Sequence, residues 1–582
     1  GGVGAARGAG VVGTVGDRAV WRPWPLGRRA ALAVTASVVA GFVLLAVPLV
    51  TALPTADAPL QQWDAVFHLN AVVAVRETGV VTPLGGLAPL YGGGALAPYY
   101  PTGWHALVAL APGASVAGAT NAALLVLGSG AWVLGLAGLA RELFPRRTAP
   151  AVLAPLLAAG FVAYPVVQLT VLAQLANGLA TALLPGALLL VVRGVRTVQA
   201  RAGAGAAVAS VLAAVTGLVG TVVAHASGAF SLAVLAGPLV VAAVGGWAVR
   251  TARSGRRALG GGALLALAAA VVTVPLMLAN LEALAAVTGF ARASGRSHAS
   301  ALVETLLDQT LVYGYPGDGW QHVAVTAATL AGAVLTLVRR RHRWVAVAWA
   351  LGVVLAVLAS GPEEHPLRWL SGFWYTQAGR IAPVATVPAV LLAGYALTAL
   401  VDRARRASPG TGRVAVAGVL VVVLGTVALR LPLQERVVAS AYVPGETAWG
   451  TMATAEELAM MRRLGDSLPD DAVVVGDPFN GSALLPAMAG VDVVFPQLGA
   501  SGLSEPQRVL QSGLADLHDD PAVCAALREV GATHLYQETA SAEDGAKLDD
   551  RTAGMRDVDV TTGFTEVERA GTAAVYRIEL CR

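Results

Sequence analysis

The chain has 582 residues, of which 56% are hydrophobic and 13% are charged, and its mean hydropathy is +0.65. Soluble globular proteins carry about 25% charged residues, so this composition excludes that class and indicates a multi-pass membrane protein. The formal net charge is +4, but the charges are unevenly distributed along the chain. Residues 431–582 contain 24 acidic and 11 basic side chains, whereas the rest of the chain contains 12 acidic and 29 basic ones. We therefore expect an acidic, water-soluble domain joined to a membrane body, and no nucleic-acid partner.

The N-terminal residues 1–29 are rich in glycine and arginine, which predicts a disordered cytoplasmic arm. Residues 30–430 are predicted to form an α-helical polytopic membrane domain with about eleven transmembrane helices, since roughly 20 apolar residues cross a bilayer core of about 30 Å. The predicted spans are 31–53, 117–140, 149–164, 176–192, 206–223, 230–249, 259–279, 323–338, 344–359, 381–401 and 414–429.

Arginine clusters fall in alternate loops between these spans, at 193–201, 250–257, 339–343 and 403–413. The positive-inside rule places such loops in the cytoplasm. The sequence therefore predicts a multi-pass protein of the bacterial cytoplasmic membrane, with its N-terminus inside and both the loop 54–105 and the C-terminal domain outside.

From residue 431 the pattern changes to polar helices alternating with short β-branched runs, which predicts a soluble α/β domain over 431–582. Helices are predicted at 454–468 and 521–530. Strands are predicted at 472–476, 491–495, 533–536, 564–569 and 573–578.

Cys524 and Cys581 both lie in this domain, and the sequence leaves open whether they form a disulfide or remain thiols.

The external loop 54–105 carries the most distinctive polar pair, Asp64 and His68, which fall four residues apart on one face of a predicted helix. A carboxylate in this position is able to deprotonate an acceptor hydroxyl, while the imidazole binds a phosphate or orients the acid. A solvated face of an interfacial helix is the alternative interpretation. Asp57 is a secondary candidate carboxylate.

A second run in the same loop combines Tyr100, Trp104 and His105. Aromatic residues at a membrane edge are expected as interfacial anchors, but a helix beginning at Pro101 brings His105 toward Asp64. His225 lies in a tight external turn, and an ionisable residue at the membrane is a functional hypothesis by default.

The run from Phe373 to Arg380 precedes the tenth predicted span. An external arginine breaks the positive-inside pattern, and bidentate binding of a phosphate by Arg380, with Tyr375 beside it, accounts for its position. Snorkelling of Arg380 to lipid headgroups is the alternative.

One span followed by an external loop with an aspartate, then an aromatic-proline run, resembles the polyprenyl-phosphate-sugar-dependent glycosyltransferases of the GT-C superfamily. Asp64, the Arg76 to Gly79 element and Tyr100-Pro101 are similar to the Asp, Arg-x-x-Gly and Pro-Pro elements of that superfamily's mannosyl- and aminoarabinosyl-transferase branch. The chain departs from that pattern at Ala65, where a second acid is usual, and at Thr102, where a second proline is usual. With its alanine- and arginine-rich, almost lysine-free composition, it resembles a divergent, uncharacterised actinobacterial membrane family.

The resemblance implies an inverting sugar transfer from a polyprenyl-phosphate-linked donor to a glycan, glycolipid or protein acceptor of the cell envelope. It makes Asp64 the general base and Arg380 the phosphate ligand, with His68, His105, His225 and Tyr375 in lesser roles. Membrane lipids are further partners. Some relatives need a divalent cation, but no complete ligand set is evident here, and no other cofactor is implied.

Two other classes stay open. A transporter or flippase for lipid-linked glycans usually has internal repeats and ionisable residues in mid-span, and we find neither. The second class is a non-catalytic envelope assembly protein that acts through its acidic domain. That class does not explain why Asp64, the histidines and Arg380 occur together.

Overall fold

A computed structural model describes residues 26–91, 99–200, 203–290, 292–312, 319–499 and 502–581. Most of the predicted arm and the 92–98 stretch of the external loop lie outside these ranges. The described chain up to residue 442 is helical. Its helices are α1 (Arg28–Ala52), α2 (Trp63–Thr78), α3 (Gly103–Ala109), α4 (Val116–Ala123), α5 (Ala131–Leu143), α6 (Ala149–Ala158), α7 (Leu175–Gln199), α8 (Ala204–Ala224), α9 (Ser227–Arg253), α10 (Arg257–Ala279), α11 (Glu282–Thr288), α12 (His298–Leu306), α13 (Val323–Val338), α14 (Arg343–Ser360), α15 (Ala378–Ala407) and α16 (Pro409–Tyr442).

Within the described ranges, ten helices are long and apolar enough to cross a membrane. They are α1, the continuous helix Val116–Leu143 that joins α4 to α5, α7, α8, α9, α10, α13 with its preceding turn, α14, α15 and α16. α15 is the most enclosed of them, with 89% of its most apolar stretch buried, whereas the corresponding stretch of α10 contains no buried residue. The polytopic helical fold class is thereby confirmed.

The span predicted at 149–164 is built differently, because α6 has only ten residues and an irregular, almost entirely buried segment follows it up to α7. Just before α6, Arg147 forms an ion pair of 2.9 Å with Asp402, and at the end of the irregular segment Leu172 packs beside Gly379. These two points on α15 are about 35 Å apart along the helix axis. The segment therefore makes an eleventh crossing with a broken helix, which is tolerated where protein surrounds the backbone.

α16 extends 13 residues beyond its predicted end at residue 429 and leads directly into the C-terminal domain. Arg430, fully buried in α16, donates hydrogen bonds to the Asp308 carboxylate at 3.1 Å and to the Asp308 carbonyl at 2.7 Å. Asp308 also accepts a hydrogen bond of 2.5 Å from the N–H of Val162 in the irregular segment. One buried ion pair thus ties α16 to the broken crossing and to the residues after α12.

The C-terminal domain contains helices and one five-stranded sheet in the order β2-β1-β3-β5-β4. β1 pairs in parallel with β2 and β3, and β5 pairs antiparallel with β3 and β4. A disulfide joins Cys524 to Cys581, which settles the alternatives left open by the sequence. The elements are α17 (Ala455–Ser467), α18 (Leu485–Ala489), α19 (Glu505–Gly513), α20 (Pro521–Glu529), β1 (Val473–Val475), β2 (Asp492–Val493), β3 (His534–Glu538), β4 (Phe564–Ala570) and β5 (Ala573–Ile578), as the α/β pattern predicted.

The C-terminal domain packs on the external loop, and the apolar core continues from one into the other. The side-chain oxygen of Gln61 accepts hydrogen bonds of 3.0 Å from the N–H groups of Met452 and Ala453. Asn70, in the middle of α2, donates to the carbonyls of Ala483 and Pro496, both at 2.7 Å. α2 is therefore held between the membrane helices and the C-terminal domain.

Candidate active site

The helix α2 positions Asp64. The backbone is extended at Gln62, and Asp64 lies in the first helical turn, where the partial positive charge of the helix N-terminus favours a carboxylate. The helix ends at Gly79, which adopts φ +68° and donates its N–H to the Val75 carbonyl at 3.0 Å. Ala65, Val66, Leu69 and Val72 are buried along its inner face.

Arg76 and Gly79, the pair that resembles an Arg-x-x-Gly element, both have structural contacts. Arg76 donates hydrogen bonds to the carbonyls of Ala111 at 2.7 Å and Ala114 at 3.0 Å, just after α3. Its guanidinium therefore caps the end of α3 and fixes α3 against α2.

Arg380, in the first turn of α15, faces Asp64. The nearest atoms of the two side chains, Arg380 Nη2 and Asp64 Oδ2, are 3.9 Å apart. Arg380 Nε donates to Gln377 Oε1 at 2.8 Å, and its guanidinium carbon lies 4.8 Å from the centre of the Tyr375 ring. Gln377 is held in turn by Gln174, which donates to it at 2.6 Å. The guanidinium is thus oriented by a hydrogen bond and a cation–π contact, with one edge toward the carboxylate.

The backbone just before α15 is unusual. Tyr375 and Thr376 have φ of +57° and +49°, in the left-handed region that residues with a side chain rarely adopt. Such conformations cluster at functional sites. Here they present the Tyr375 ring to Arg380.

Arg292 joins the same cluster, although the sequence reasoning did not select it. Its Nε lies 3.5 Å from the Tyr375 carbonyl, and its guanidinium carbon lies 5.3 Å from the centre of the Phe290 ring. Burial lowers the pKa of Arg292, as does the neighbouring charge of Arg380, whereas Asp64 opposes this shift. The rule that drew attention to Arg380, an arginine on the side of the membrane that is poor in arginine, applies equally to Arg292.

Burial and the neighbouring positive charges have opposite effects on the pKa of Asp64. Burial among the surrounding groups raises the pKa of its carboxyl, and the positive charges of Arg380 and Arg292 oppose that rise. Its side chain still retains 41% of its accessible surface, whereas that of Arg380 retains 14%. One partly exposed carboxyl group therefore lies beside two guanidinium groups, and the cluster carries a surplus positive charge even when Asp64 is ionised.

His68 and His105 form a stacked pair beside this cluster. Their rings are inclined by 24° with centres 5.1 Å apart, and His68 Nδ1 lies 2.9 Å from His105 Nε2. Burial lowers the pKa of His68 well below its usual value and that of His105 to about 3. Both rings are therefore neutral at physiological pH, and one donates its N–H to the other. No described contact joins His68 to Asp64, although the two share a helix face.

Tyr100 and Phe67 line the same wall. Phe67 packs against Tyr100 with ring centres 4.7 Å apart, and Tyr100 lies 6.1 Å from the His68 ring. Burial raises the pKa of the Tyr100 hydroxyl, as do the charge of Asp64 and the neighbouring Tyr375 and Tyr91 hydroxyls, whereas Arg380 opposes the rise. Tyr100 is thus a neutral hydroxyl near the carboxylate.

His225, between α8 and α9, belongs to a network of neutral polar groups. Its Nδ1 lies 2.8 Å from Ser227 Oγ, and Asn177 Nδ2 donates to the same oxygen at 2.5 Å. Burial, followed by the charge of Arg380, lowers the pKa of His225 to about 3. His225 also affects the pKa of His68, so all three predicted histidines lie in one electrostatic neighbourhood.

Two secondary candidates lie apart from this cluster. Asp57 accepts a hydrogen bond of 2.7 Å from Thr55 and forms an ion pair of 3.5 Å with Arg462 of the C-terminal domain. The Thr55 hydrogen bond, followed by the Arg462 charge, lowers the pKa of the Asp57 carboxyl. Trp104 is fully buried, so its indole is part of the core.

The C-terminal domain contributes two side chains next to α2 that the sequence reasoning did not select. The rings of Trp63 and Phe479 meet edge to face with centres 5.0 Å apart, and the Arg551 guanidinium carbon lies 4.7 Å from the centre of the Trp63 ring. The Asp477 carboxylate accepts a hydrogen bond of 3.0 Å from Arg556 and holds the turn that carries Phe479. The turn at 477–481 therefore lies beside Trp63, the residue that precedes Asp64.

In the part of the chain that the structure describes, no three His, Cys, Asp or Glu side chains gather in a way that suits a metal ion. Asp64, which carries the expected base, has two arginines as its charged neighbours. This donor set fits an anionic ligand better than a cation, and we route no chemical step through a metal.

The architecture is similar to that of GT-C-type membrane oligosaccharyltransferases. The archaeal oligosaccharyltransferase AglB from Archaeoglobus fulgidus, solved in complex with an inhibitory peptide and a dolichol-phosphate, superposes with a TM-score of 0.53 at 11% identity, over 88% of this chain and 69% of that one. A crystal structure of the Archaeoglobus fulgidus oligosaccharyltransferase in complex with Zn and sulfate gives a TM-score of 0.48 at 12% identity, over 86% and 68% of the two chains. By sequence, the chain belongs to the family of unknown function DUF6541, whose profile matches residues 2–580. No curated protein matches it.

Proposed function

We propose that this chain is a membrane glycosyltransferase that transfers a sugar from a polyprenyl-phosphate donor to an acceptor hydroxyl, with inversion at the anomeric carbon. The observation that carries the proposal is the meeting of Asp64, Arg380 and Arg292 in one cluster, with a partly exposed carboxylate beside two guanidinium groups. Such a cluster suits a reaction that removes a proton at one point and releases a phosphate at another.

Asp64 accepts the proton of the acceptor hydroxyl while the oxygen of that hydroxyl forms a bond to the anomeric carbon. The bond between that carbon and the phosphate oxygen breaks, and its electron pair leaves with the polyprenyl phosphate. Arg380 and Arg292 stabilise the charge that develops on the departing phosphate, and the burial of most of the Arg380 side chain strengthens that interaction. A guanidinium already oriented by Gln377 and Tyr375 needs little reorganisation to do so.

The neutral histidines suit a different task. Because His68, His105 and His225 stay uncharged, they add no further positive charge to the phosphate site. Neutral imidazoles both donate and accept hydrogen bonds, so they are suited to the hydroxyl groups of a sugar. Tyr100 supplies a further neutral hydroxyl beside them.

The chemistry of the site and the ligand of the structural neighbour both support a lipid-phosphate donor. The archaeal oligosaccharyltransferase was solved with a dolichol-phosphate, so a lipid phosphate is the first donor class to test here. A hexose or pentose as the sugar, and an envelope glycan, glycolipid or protein as acceptor, complete the proposal. The site would lie on the outer face of the bacterial cytoplasmic membrane, with the C-terminal domain over it.

The test uses purified full-length protein in nanodiscs with a panel of polyprenyl-phosphate sugars. Wild type is expected to release polyprenyl phosphate from one donor, and Asp64→Asn to lower that rate by about 10²- to 10⁴-fold with donor binding retained. Asp57→Asn is the matched control, because it removes a carboxylate from the same loop that is paired with Arg462; its rate should stay within a few-fold of wild type. Donor binding without turnover, unaffected by Asp64→Asn, would favour a flippase or assembly protein.

A further inference from the structure

A second polar feature lies at the opposite end of the membrane domain from Asp64, where α15 gives way to α16. α15 ends at Ala407, Ser408 is the N-cap, and α16 begins at Pro409. An open groove of about 650 Å³ follows this junction onto the outward face of α16. Arg405 and Arg413 line its polar end, and Val416, Ala417 and Leu420 line its apolar end.

The groove has a fixed shape. A Cβ atom at Gly412 would lie 2.5 Å from Arg405 Cγ and 3.1 Å from Arg405 Cα, so the two helices approach closely only because residue 412 is glycine. Ser408 and Thr411 form a reciprocal capping box that holds the turn between the helices. The floor and the turn are thus rigid, and the arginine side chains stand on either side.

Both arginines are exposed and have no ion pair or hydrogen bond to any other described residue. Asp402, the acid nearest to them in this stretch of α15, is already paired with Arg147. The polar end of the groove therefore carries two uncompensated positive charges at the membrane edge.

The apolar end continues toward the middle of the membrane along the face of α16 that faces outward. Leu420 is 42% exposed and Val421 is 71% exposed, so no other described part of the chain covers this face. Cationic side chains at a span end, continuous with an apolar surface along the span, complement a molecule with an anionic head and hydrocarbon tails.

We propose that this groove binds an anionic diacyl phospholipid, with its phosphate between Arg405 and Arg413 and an acyl chain along Val416 and Leu420. A polyprenyl phosphate shares this chemistry. The diacyl lipid is the occupant favoured here, because the groove lies at the opposite end of the span from Asp64, where the phosphate-binding arginines of the proposed reaction lie. The preference for the diacyl lipid over a polyprenyl phosphate rests on the proposed function, whereas the binding of an anionic lipid in the groove rests only on its charge and apolar lining.

The test titrates purified full-length protein in detergent with dioleoyl phosphatidylglycerol and measures the bound fraction by intact-complex mass spectrometry. Arg405→Gln with Arg413→Gln is expected to lower the affinity roughly fivefold for each arginine and roughly 30-fold together. Arg256→Gln with Arg257→Gln is the matched control, because it removes two exposed arginines from another loop at the same end. The control should retain wild-type affinity.

Three further arms decide the result. Dioleoyl phosphatidylcholine, which has no net charge, should bind wild type at the level of the double variant. Undecaprenyl phosphate should bind the groove more weakly than phosphatidylglycerol, and 10 mM inorganic phosphate should not displace the lipid. Equal losses in the groove and control variants, equal binding of phosphatidylcholine, tighter binding of undecaprenyl phosphate, or displacement by phosphate would each overturn the proposal. Equal melting temperatures of the variants in phosphatidylcholine show that their folding is intact.

Discussion

The Asp64 carboxylate and the Arg380 guanidinium lie 3.9 Å apart, although one lies near the start of α2 and the other near the start of α15, a late membrane helix. Each residue is in the first turn of its helix, and each helix is held by burial along nearly its whole length. The gap between the two side chains is longer than a direct hydrogen bond. It leaves both groups able to engage a ligand between them.

Arg380→Lys and Arg292→Lys test whether the guanidinium groups bind phosphate. Lysine retains the charge but loses the planar fork that matches a phosphate, so we expect donor affinity to fall about tenfold in each variant. Affinity is measured by titration of the donor in nanodiscs. Arg296→Lys serves as the control, because Arg296 is on the same side and is already paired with Glu304 at 3.3 Å. Unchanged affinity in Arg380→Lys would favour the snorkelling interpretation.

The pH dependence of kcat/KM identifies the base. A general base must be deprotonated, so the rate should rise with pH through the raised pKa of Asp64. The positive charge of Arg292 lowers the pKa of Asp64. Arg292→Gln should therefore raise that pKa and move the acid limb of the pH profile to higher pH. His105 has a pKa of about 3, so His105→Gln should leave the limb where it is. If the acid limb shifted in His105→Gln, or moved to lower pH in Arg292→Gln, the base would be a residue other than Asp64.

The buried Asp308–Arg430 pair is expected to dominate the stability of the membrane domain. Burial raises the pKa of Asp308 to about 6 despite the opposing charge of Arg430. Arg430→Met or Asp308→Ala alone leaves a buried charge uncompensated, which costs about 3–5 kcal/mol, and the double variant should cost less than the sum. Melting of the purified protein in detergent measures these differences. Arg147→Met breaks the more exposed pair with Asp402 and should cost at most about 1 kcal/mol. Additive losses would show that the buried pair is not coupled.

Orientation in the membrane is testable with single cysteines, because Cys524 and Cys581 are joined and no free cysteine exists among the described residues. Glu543→Cys lies in an exposed turn of the C-terminal domain, and Ser254→Cys lies exposed between α9 and α10. An impermeant maleimide should label Glu543→Cys in intact cells and Ser254→Cys only after permeabilisation. The reverse pattern would invert the proposed topology.

Much of the fold was predictable from the sequence because the signals were local. Runs of apolar residues predicted the spans, and β-branched runs predicted the five strands within a few residues of their observed ends. The broken crossing after α6 was not predictable in this way, since its irregular backbone is stabilised by surrounding helices and by Asp308.

The candidate site was predictable in part. Polar side chains in apolar surroundings drew attention to seven residues that the structure brings into one neighbourhood. Arg292 carried the same signal as Arg380, an arginine on the arginine-poor side of the membrane, but its position beside Tyr375 depends on where the segment after α11 folds back. Phe479 and Arg551 come from a separate domain whose docking surface has no periodic signature. The seven residues are Asp64, His68, Tyr100, His105, His225, Tyr375 and Arg380.

The hydrogen bonds from Asn70 to Ala483 and Pro496 bear on how such proteins can be recombined. The helix that carries Asp64 and the C-terminal domain share one continuous core, although residues 79–430 separate them in the chain. A chimaera that exchanges only the C-terminal domain with a relative would leave the Asn70 amide facing foreign carbonyls. The loop 54–105 and the C-terminal domain therefore form one packed unit, and grafting experiments should transfer them together.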